Sequence, residues 1–472
     1  MIYVSMVLCA CVSTAFSLMF LKTYQLSSYK TRTFFKEICA FNFSSGNKNK
    51  IVFTKRIIRF LITLFLLNMG IFYLINRFVS NVWLLLLDYL IVLVMCPLIM
   101  IVAHFAICPL EEFIKWCYIQ RARKKLLKKN VIKIGITGSY GKTSTKNILT
   151  ELLEKEYKVC TTPLSYNTEM GITKTILESL DDHDVFIAEM GARKKGDIKV
   201  LTDIVKPDYG IITTVGKQHI ESFKTLSVIE DTKFELAENV SHDGAMVFNG
   251  DSPSGVRLFK RCKTNKYLVC DKRGFAYAQN EKITSEGCEF ELVLDGQIIK
   301  MKTALLGKCN IDNIVCACAM ARLLGISDED MISAVKKLKP ISHRLEIIKN
   351  DYCTILDDSY NSNLVGAKEA LNVLSHFEGQ KIVITPGFVE MGEAGSMSNF
   401  ALGASVADVA DYIVIMNEIN KNYLFSGAIS HNFDKNKIFF CSTREKQKEI
   451  INLISTKGCV ILFENDLPDN FK

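Results

Sequence analysis

The chain has 472 residues, of which 49% are hydrophobic, and 58 Lys and Arg against 50 Asp and Glu give it a formal net charge of +8. This length suggests about three domains, and the apolar share excludes a disordered or fibrous chain. Residues 1–130 hold 17 Lys or Arg and 4 Asp or Glu, leaving 41 and 46 for the rest, so the charge is +13 against −5. Because the basic stretch also contains the apolar runs, it indicates a membrane, and we expect no nucleic-acid partner.

Three apolar runs lie in residues 1–130, at 1–21, 60–75 and 82–110. Since about 20 apolar residues suffice to cross the hydrocarbon layer, we expect about three transmembrane helices that contact membrane lipid. A cleaved signal peptide is the alternative for the first run, but no basic residue precedes it and no convincing small-residue cleavage site follows it.

Basic residues flank these runs, in the loop between the first two and in RARKKLLKK after the third. The positive-inside rule places both flanks in the cytoplasm, so we expect a multi-pass protein of the cell membrane whose remaining residues are cytoplasmic. The sixteen cysteines follow no repeated CxxC pattern and are expected to be reduced thiols.

A phosphate-binding turn is predicted in VIKIGITGSYGKTSTKNILTELL, which begins at Val131. An apolar strand, a glycine turn and an amphipathic helix follow one another there, as such a loop requires. The glycines allow backbone N–H groups to face a phosphate, Lys142 can reach the terminal phosphates of ATP, and the Thr143 hydroxyl can bind Mg²⁺. The predicted nucleotide-binding residues of this turn are Gly138, Ser139, Tyr140, Gly141, Lys142, Thr143 and Ser144.

The turn departs from the usual P-loop spacing, because Ile136 stands where that motif has its first glycine. The string GITGSYGKTST instead resembles the ATP loop of the Mur ligases, the ATP-dependent amide-forming enzymes of peptidoglycan synthesis. The resemblance continues, in the same order, through SYNTEMGI, FIAEMGARKKGDI, VGKQHIESFKTLSVIEDTKFEL, LLGKCNIDNIVCACAMARLLGI, SHRLE, LDDSYNSN, TPGFVEMGE and FENDLPDNF. It covers residues 131–472 and is strongest to the branch that adds D-alanyl-D-alanine.

The resemblance implies a metal site and a modified lysine. Glu189, at the end of the apolar strand VFIAEM, would hold Mg²⁺ beside Thr143, and His219 would lie near a second Mg²⁺. Relatives carbamylate the lysine that matches Lys233. The alternatives are a surface glutamate at a strand end for Glu189, a structural histidine for His219 and a solvated helix lysine for Lys233.

Further residues are implied to contact the nucleotide. Asn310 and Asn313 match the adenine-side asparagines of the family, although Cys309 replaces the usual histidine before them. Arg344 resembles the interdomain arginine that supports the phosphates, and Asp358 belongs to the loop DDSYNSN, which follows an apolar strand and is expected to line the cleft. Lys142, Glu189, His219, Lys233 and Arg344 are the predicted catalytic residues.

The expected architecture is α/β: N-terminal transmembrane helices in 1–130, a central P-loop domain in 131–340 with a mostly parallel sheet, and a Rossmann-like C-terminal domain in 341–472. A strand-rich excursion is expected at about 267–305. Cytoplasmic Mur ligases carry an N-terminal domain that binds the UDP sugar, and the membrane region stands in its place.

The expected function is an ATP- and Mg²⁺-dependent ligase that activates a peptidoglycan-precursor carboxylate as an acyl phosphate and joins it to D-alanyl-D-alanine or a similar amine. Two acceptors remain open, a nucleotide-linked and a lipid-linked precursor. A non-catalytic ATP-binding membrane scaffold for cell-wall enzymes is the third alternative. A scaffold has no need of the complete phosphate and metal site that Lys142, Thr143 and Glu189 suggest.

Overall fold

A computed structural model describes residues 2–27, 29–39, 51–79, 82–218, 220–360, 363–389 and 391–466. These residues fall into two compact units, one that runs up to Tyr118 and one that begins at Ile119. The predicted His219 lies outside the described residues.

The first unit is helical. Its helices, the last of which continues past the boundary between the units, are α1 Ile2–Leu26, α2 Thr31–Cys39, α3 Lys55–Phe78, α4 Val82–Val94 and α5 Cys96–Lys128. The segments Met6–Leu26, Lys55–Phe78 and Cys96–Lys128 are long and apolar enough to cross a membrane, judged by length and composition. Polar pairs join helices within this unit, since Arg59 donates two hydrogen bonds to Glu111, at 2.6 and 2.9 Å.

The third apolar run differs from the single helix expected over 82–110. The chain instead turns at Met95, between α4 and α5. Pro97 supplies the physical reason, because proline has no backbone N–H and its ring clashes with the carbonyl four residues earlier. The long apolar helix therefore begins at Cys96 and extends to Lys128.

The second unit contains a nine-stranded sheet in the order β2-β3-β1-β4-β5-β6-β7-β8-β9. Its strands are β1 Ile132–Thr137, β2 Val159–Thr161, β3 Val185–Glu189, β4 Tyr209–Ile212, β5 Ala245–Asn249, β6 Asn265–Val269, β7 Ala276–Thr284, β8 Gly287–Leu294 and β9 Gln297–Thr303. Neighbouring strands from β2 to β7 are parallel, whereas β7, β8 and β9 form antiparallel pairs. The expected strand-rich excursion corresponds to this antiparallel end of the sheet.

Helices cover both faces of this sheet, which explains its apolar strands. They are α6 Lys142–Leu153, α7 Glu169–Ser179, α8 Asp197–Val205, α9 Ile220–Phe223, α10 Leu226–Asn239, α11 Pro253–Arg261, α12 Lys308–Leu323 and α13 Asp328–Lys337. Along β3, Val185 and Ile187 pack into the core that contains α6 and α12, while Phe186 and Ala188 pack into the core that contains α8 and α10. A strand buried on both faces reads as a continuous apolar run.

A second, six-stranded sheet follows in the order β10-β11-β15-β12-β13-β14. Its strands are β10 Glu346–Lys349, β11 Cys353–Asp358, β12 Lys381–Thr385, β13 Tyr412–Met416, β14 Ile438–Cys441 and β15 Cys459–Glu464. The helices are α14 Leu364–Ser375, α15 Gly395–Ala407, α16 Lys421–Ser430 and α17 Arg444–Ile454, with short 3-10 turns at Gly392–Ala394 and Lys435–Lys437. All strand pairs are parallel except β10 with β11.

The predicted α/β fold with mostly parallel sheets is confirmed. In such sheets the loops beyond the carboxyl ends of the strands form the binding edge. The turn after β1, the end of β3 and the end of β11 all reach this kind of edge, and the predicted site residues follow them.

Candidate active site

The turn between β1 and α6 requires glycine at two positions. Gly138 has a φ of 153° and Gly141 a φ of 79°, a region that favours glycine. A larger side chain would also clash at both positions, because a Cβ on Gly138 would lie 1.9 Å from Thr213 Oγ1 and one on Gly141 would lie 2.3 Å from Asn313 Oδ1. The turn is therefore built against the loop after β4 on one side and helix α12 on the other.

Some backbone N–H groups of this turn bond to the protein itself, and others remain available to a ligand. Ser139 and Tyr140 both donate their N–H to the carbonyl of Thr214, and the Ser139 hydroxyl donates to the carbonyl of Gly216 at 2.9 Å. Gly141 precedes α6 without a side-chain cap. The first N–H groups of a helix have no acceptor within it, so those of α6 are available to an anion.

Lys142 lies in the same turn and is partly buried. Its ammonium donates to the carbonyls of Gly138 and Ser139, both at 2.9 Å, which engages two of its three N–H groups. Burial lowers the pKa of Lys142 to about 8, with the Glu189 carboxylate opposing the shift and the Arg344 guanidinium adding to it. An anion placed beside this ammonium would favour its charged form.

Glu189 ends β3 with its side chain only 1% exposed. Its Oε2 accepts from the Thr143 hydroxyl at 2.9 Å, and its Oε1 accepts from Asn167 Nδ2 at 3.1 Å. A hydroxyl and a carboxylate are hard oxygen donors, and Mg²⁺ combines such groups with phosphate oxygens and water. Within the described ranges no three His, Cys, Asp or Glu side chains gather as a metal cage. Thr143 and Glu189 therefore fit a Mg²⁺ ion that phosphate and water complete.

Lys233, on α10, is buried at 3% exposure, and its ammonium has no hydrogen-bond partner among the residues that the structure describes. Burial lowers the pKa of Lys233 to about 7; Lys142 lowers it further, whereas Asp197 and Glu235 oppose the shift. Glu235 itself is occupied by the backbone N–H groups of Gly196 and Lys199, at 2.7 and 2.9 Å. Near neutral pH, a substantial fraction of Lys233 is thus an uncharged, nucleophilic amine.

The two predicted adenine-side asparagines differ in their contacts. Asn313 Oδ1 accepts from the Thr145 hydroxyl at 3.1 Å, which ties α12 to α6. Asn310 Nδ2 donates to the carbonyl of Leu306 at 2.8 Å, one helical turn earlier. Cys309 is exposed beside them. Asn310 therefore keeps its amide oxygen for a ligand, and Asn313 keeps its amide N–H₂.

The opposite wall comes from the second sheet. The Arg344 guanidinium lies 4.5 Å from the centre of the Tyr360 ring. Asp358, the last residue of β11, accepts from the backbone N–H of Leu345 at 3.2 Å. Burial raises the pKa of Asp358 to about 6, although the Leu345 N–H and Arg344 both oppose this shift.

One cavity of about 600 Å³ joins the two walls. The predicted residues that line it are Ser139, Tyr140, Gly141, Lys142, Thr143, Ser144, Glu189, Lys233, Asn310, Asn313, Arg344 and Asp358. Gly138 does not line the cavity but shapes the turn behind it. The cavity is thus lined by three kinds of group: the turn that carries Lys142, the Thr143–Glu189 pair and Arg344.

Comparison with known proteins finds similarity to Mur ligases. The family model described as the Mur ligase middle domain matches residues 136–321. The chain is 27% identical over 335 residues to the UDP-N-acetylmuramoyl-tripeptide–D-alanyl-D-alanine ligase of Bacillus subtilis, which covers 70% of this chain and 72% of that relative. Residues 136–321 thus match a Mur ligase middle domain, and the chain is similar to Mur ligases over about 70% of its length.

Other Mur ligases extend this likeness. The enzyme of the same name from Mycobacterium tuberculosis is 31% identical over 273 residues, which are 57% of this chain and about half, 54%, of that relative. The structure of MurF ligase from Thermotoga maritima in complex with ADP has a TM-score of 0.68 at 25% identity, over 75% of this chain and 80% of that one. MurF from Acinetobacter baumannii shares the fold, with a TM-score of 0.69 at 22% identity over 75% of this chain and 77% of that one.

Several groups in or beside the cavity were missed by sequence reasoning. Asn167 and Asp197 line the cavity, and Lys146 lies behind it against Glu189. Lys146 could have been found, because a residue four positions after Lys142 lies on the same face of a helix. Asn167 and Asp197 reach the cavity only through the pairing of the strands before them, which the sequence alone does not display.

Proposed function

We propose that this protein is a Mur ligase, an ATP-dependent ligase of peptidoglycan-precursor synthesis, which joins D-alanyl-D-alanine to the free carboxylate of a muramoyl-tripeptide. The observation that carries the proposal is the single cavity in which the phosphate turn, the Thr143–Glu189 pair and Arg344 face each other. The relatives that bear this activity in their names support the choice of substrates.

The chemistry needs charge neutralisation and positioning more than covalent catalysis. The substrate carboxylate attacks the γ-phosphorus of ATP, ADP leaves, and the resulting acyl phosphate is captured by the amine with release of phosphate. Lys142 and Arg344 would neutralise the phosphate oxygens from opposite walls. Thr143 and Glu189 would hold Mg²⁺, which when bound offsets the charge of the triphosphate. His219 remains a proposed residue of a second Mg²⁺ site.

Lys233 is proposed to be carbamylated. Its uncharged amine would add to CO₂ and lose a proton, which gives an N-carboxylate in place of an ammonium. The buried position of Lys233 and the lowered pKa support this reaction, because an ammonium cannot be the nucleophile. Mass spectrometry of the intact protein in bicarbonate buffer tests it, since a Lys233→Arg variant should lack the added mass.

A membrane location is proposed because three helices are long and apolar enough to span a bilayer: Met6–Leu26, Lys55–Phe78 and Cys96–Lys128. Residues 131–340 and 341–472 are proposed to form two cytoplasmic domains. The same three helices favour a second candidate substrate, a lipid-linked form of the muramoyl-tripeptide, because a membrane-anchored enzyme would meet it at the bilayer surface. Extraction of the expressed chain by detergent but not by alkaline carbonate would support the membrane location.

The deciding experiment measures ADP release by the full chain in lipid nanodiscs. The nucleotide-linked tripeptide and its lipid-linked counterpart are offered separately, each with D-alanyl-D-alanine. Faster turnover of the soluble substrate would remove the lipid-linked alternative. Substrate-independent ATP binding with no ADP release on either substrate would contradict the enzyme and favour the scaffold.

A further inference from the structure

Lys146 lies on α6 one turn after Lys142, and its side chain is 1% exposed. Lysine is rarely buried unless its charge is paired. Its ammonium donates to the carbonyl of Thr162 at 2.7 Å and to that of Leu164 at 2.6 Å, and it lies 3.4 Å from Glu189 Oε2. An ammonium has three N–H donors, so these three partners occupy it completely.

The two lysines of α6 therefore differ in what they can still bind. Lys142 uses two N–H groups on the carbonyls of its own turn, and within the described residues its third N–H has no protein partner. Lys146 cannot reach a phosphate without abandoning a buried carboxylate or carbonyl. Leaving such a group unpaired is costly in a protein interior.

The partners of Lys146 connect the metal side of the cavity to another of its walls. Thr162 also accepts, through its hydroxyl oxygen, the backbone N–H of Glu189 at 3.1 Å. The loop of residues 162–168 then brings Asn167 and Thr168 to the cavity, and Asn167 binds the second carboxylate oxygen of Glu189. Lys146 thus contacts both this loop and Glu189, beside the direct bonds that Thr162 and Asn167 make to Glu189.

The conformation of Leu164 indicates that the loop is held rather than relaxed. Its φ of 46° lies in the left-handed region that a leucine disfavours. Its side chain is 80% exposed, so side-chain burial does not stabilise this conformation. The 2.6 Å hydrogen bond from Lys146 to the carbonyl of Leu164 is a direct side-chain contact to this residue. Backbone hydrogen bonds of Thr162 to β3 and of Asn167 to Gly191 hold the two ends of the loop.

We propose that Lys146 is a positioning residue, which orients the Glu189 carboxylate toward the Mg²⁺ position beside Thr143 and holds the loop of residues 162–168 against it. The inference rests on the proposed function for the identity of the ligand, Mg²⁺ with ATP. It assigns Lys146 no contact with phosphate, in contrast to Lys142.

The first test compares Lys146→Met and Lys146→Gln with wild type and with Lys158→Met, whose ammonium forms an exposed pair with Asp182. A fluorescent ATP analogue is titrated in EDTA and then at rising Mg²⁺. We expect Mg²⁺-free affinity within about twofold of wild type, because Lys142 and its turn remain. The Mg²⁺ concentration for half-maximal binding should rise on the order of tenfold in Lys146→Met, and less in Lys146→Gln, which keeps two N–H donors. Lys158→Met should match wild type.

A folded Lys146→Met variant with wild-type Mg²⁺ dependence would overturn the proposal, and so would a large loss of Mg²⁺-free affinity, which would indicate phosphate contact. If both variants fail to fold, the proposal is tested on wild type instead, by acetylating its lysines and mapping the acetylated positions by mass spectrometry. We expect Lys142 to be labelled and then protected by Mg²⁺–ATP, with Lys146 unlabelled in both states. Labelling of Lys146 that ATP suppresses would contradict the inference. Neither readout requires turnover, so failure of the proposed ligase activity would be seen separately.

Discussion

The two walls of the cavity differ in how exposed some of their side chains are. On the phosphate wall Glu189 is 1% exposed and Lys233 3%, whereas on the wall from the second sheet Tyr360 is 47% exposed and Val365 62%. Buried charges must be paired or change protonation state, so the geometry of the phosphate wall is set before ligands arrive. On the second wall burial constrains Asp358, but the exposed Tyr360 and Val365 have fewer such constraints and can adjust to the nucleotide.

The largest effect is expected from Lys142→Ala, which removes a cation from the phosphate wall. We expect kcat for ADP release to fall on the order of 10³-fold, because no other described ammonium in the turn can meet the γ-phosphate. Nucleotide binding should survive through the N–H groups of α6. Circular dichroism checks folding, and Lys158→Ala serves as the matched control. A variant with near-normal kcat would show that the phosphate wall does not carry the chemistry.

A smaller effect is expected from Lys233→Met, about 100-fold in kcat, if the lysine supports the metal site. The effect of Lys233 on the pH dependence of stability has a definite sign. The pKa of Lys233 is about 7 in the folded protein and about 10.4 in an unfolded chain, so between these values the unfolded chain binds more protons. In CO₂-free buffer the stability of wild type relative to Lys233→Met should therefore rise from pH 7 to pH 10. Melting temperatures that run parallel over that range would contradict the burial argument.

On the open wall, Arg344→Ala should raise KM for ATP by about 30-fold, the usual effect of losing a charged hydrogen bond. Because the guanidinium lies on an aromatic face rather than in a buried ion pair, the melting temperature should change little. Arg344→Lys, which keeps the charge but not the planar group, should recover part of the loss. A strong fall in stability would mean that this wall is as firmly built as the other.

The smallest effect is expected at Tyr360. Tyr360→Ala removes the ring beneath Arg344, a contact worth about 0.5 to 1 kcal/mol at an exposed site, so KM for ATP should rise only a fewfold. Tyr360→Phe keeps the ring and should behave as wild type. If the phenylalanine variant were as weak as the alanine variant, the hydroxyl rather than the ring would be the group that matters.

The sequence predicted the phosphate wall better than the rest of the site. Gly138, Gly141, Lys142 and Thr143 are local to one turn, and their role follows from strand, glycine and helix in succession. Lys146 was missed because its function depends on Glu189 and Leu164, which lie 43 and 18 residues away along the chain. The break at Met95 was missed because the run 82–110 is apolar on both sides of Pro97, and only the first of its two prolines, Pro97 and not Pro109, lies at a helix break.

By itself, the sequence determined the alternation of elements, the resemblance to Mur ligases and the position of the proposed phosphate-binding turn, because these depend on neighbouring residues and on periodic burial. Only the tertiary structure decided that Lys142 keeps one N–H for a ligand while all three N–H groups of Lys146 have partners in the protein. The partners of Lys146 are brought together by the pairing of β2 with β3. The tertiary structure also decided the buried state of Lys233, on which the lowered pKa depends. Hydrogen bonding and desolvation act between groups that are distant in sequence, and a linear pattern does not contain them.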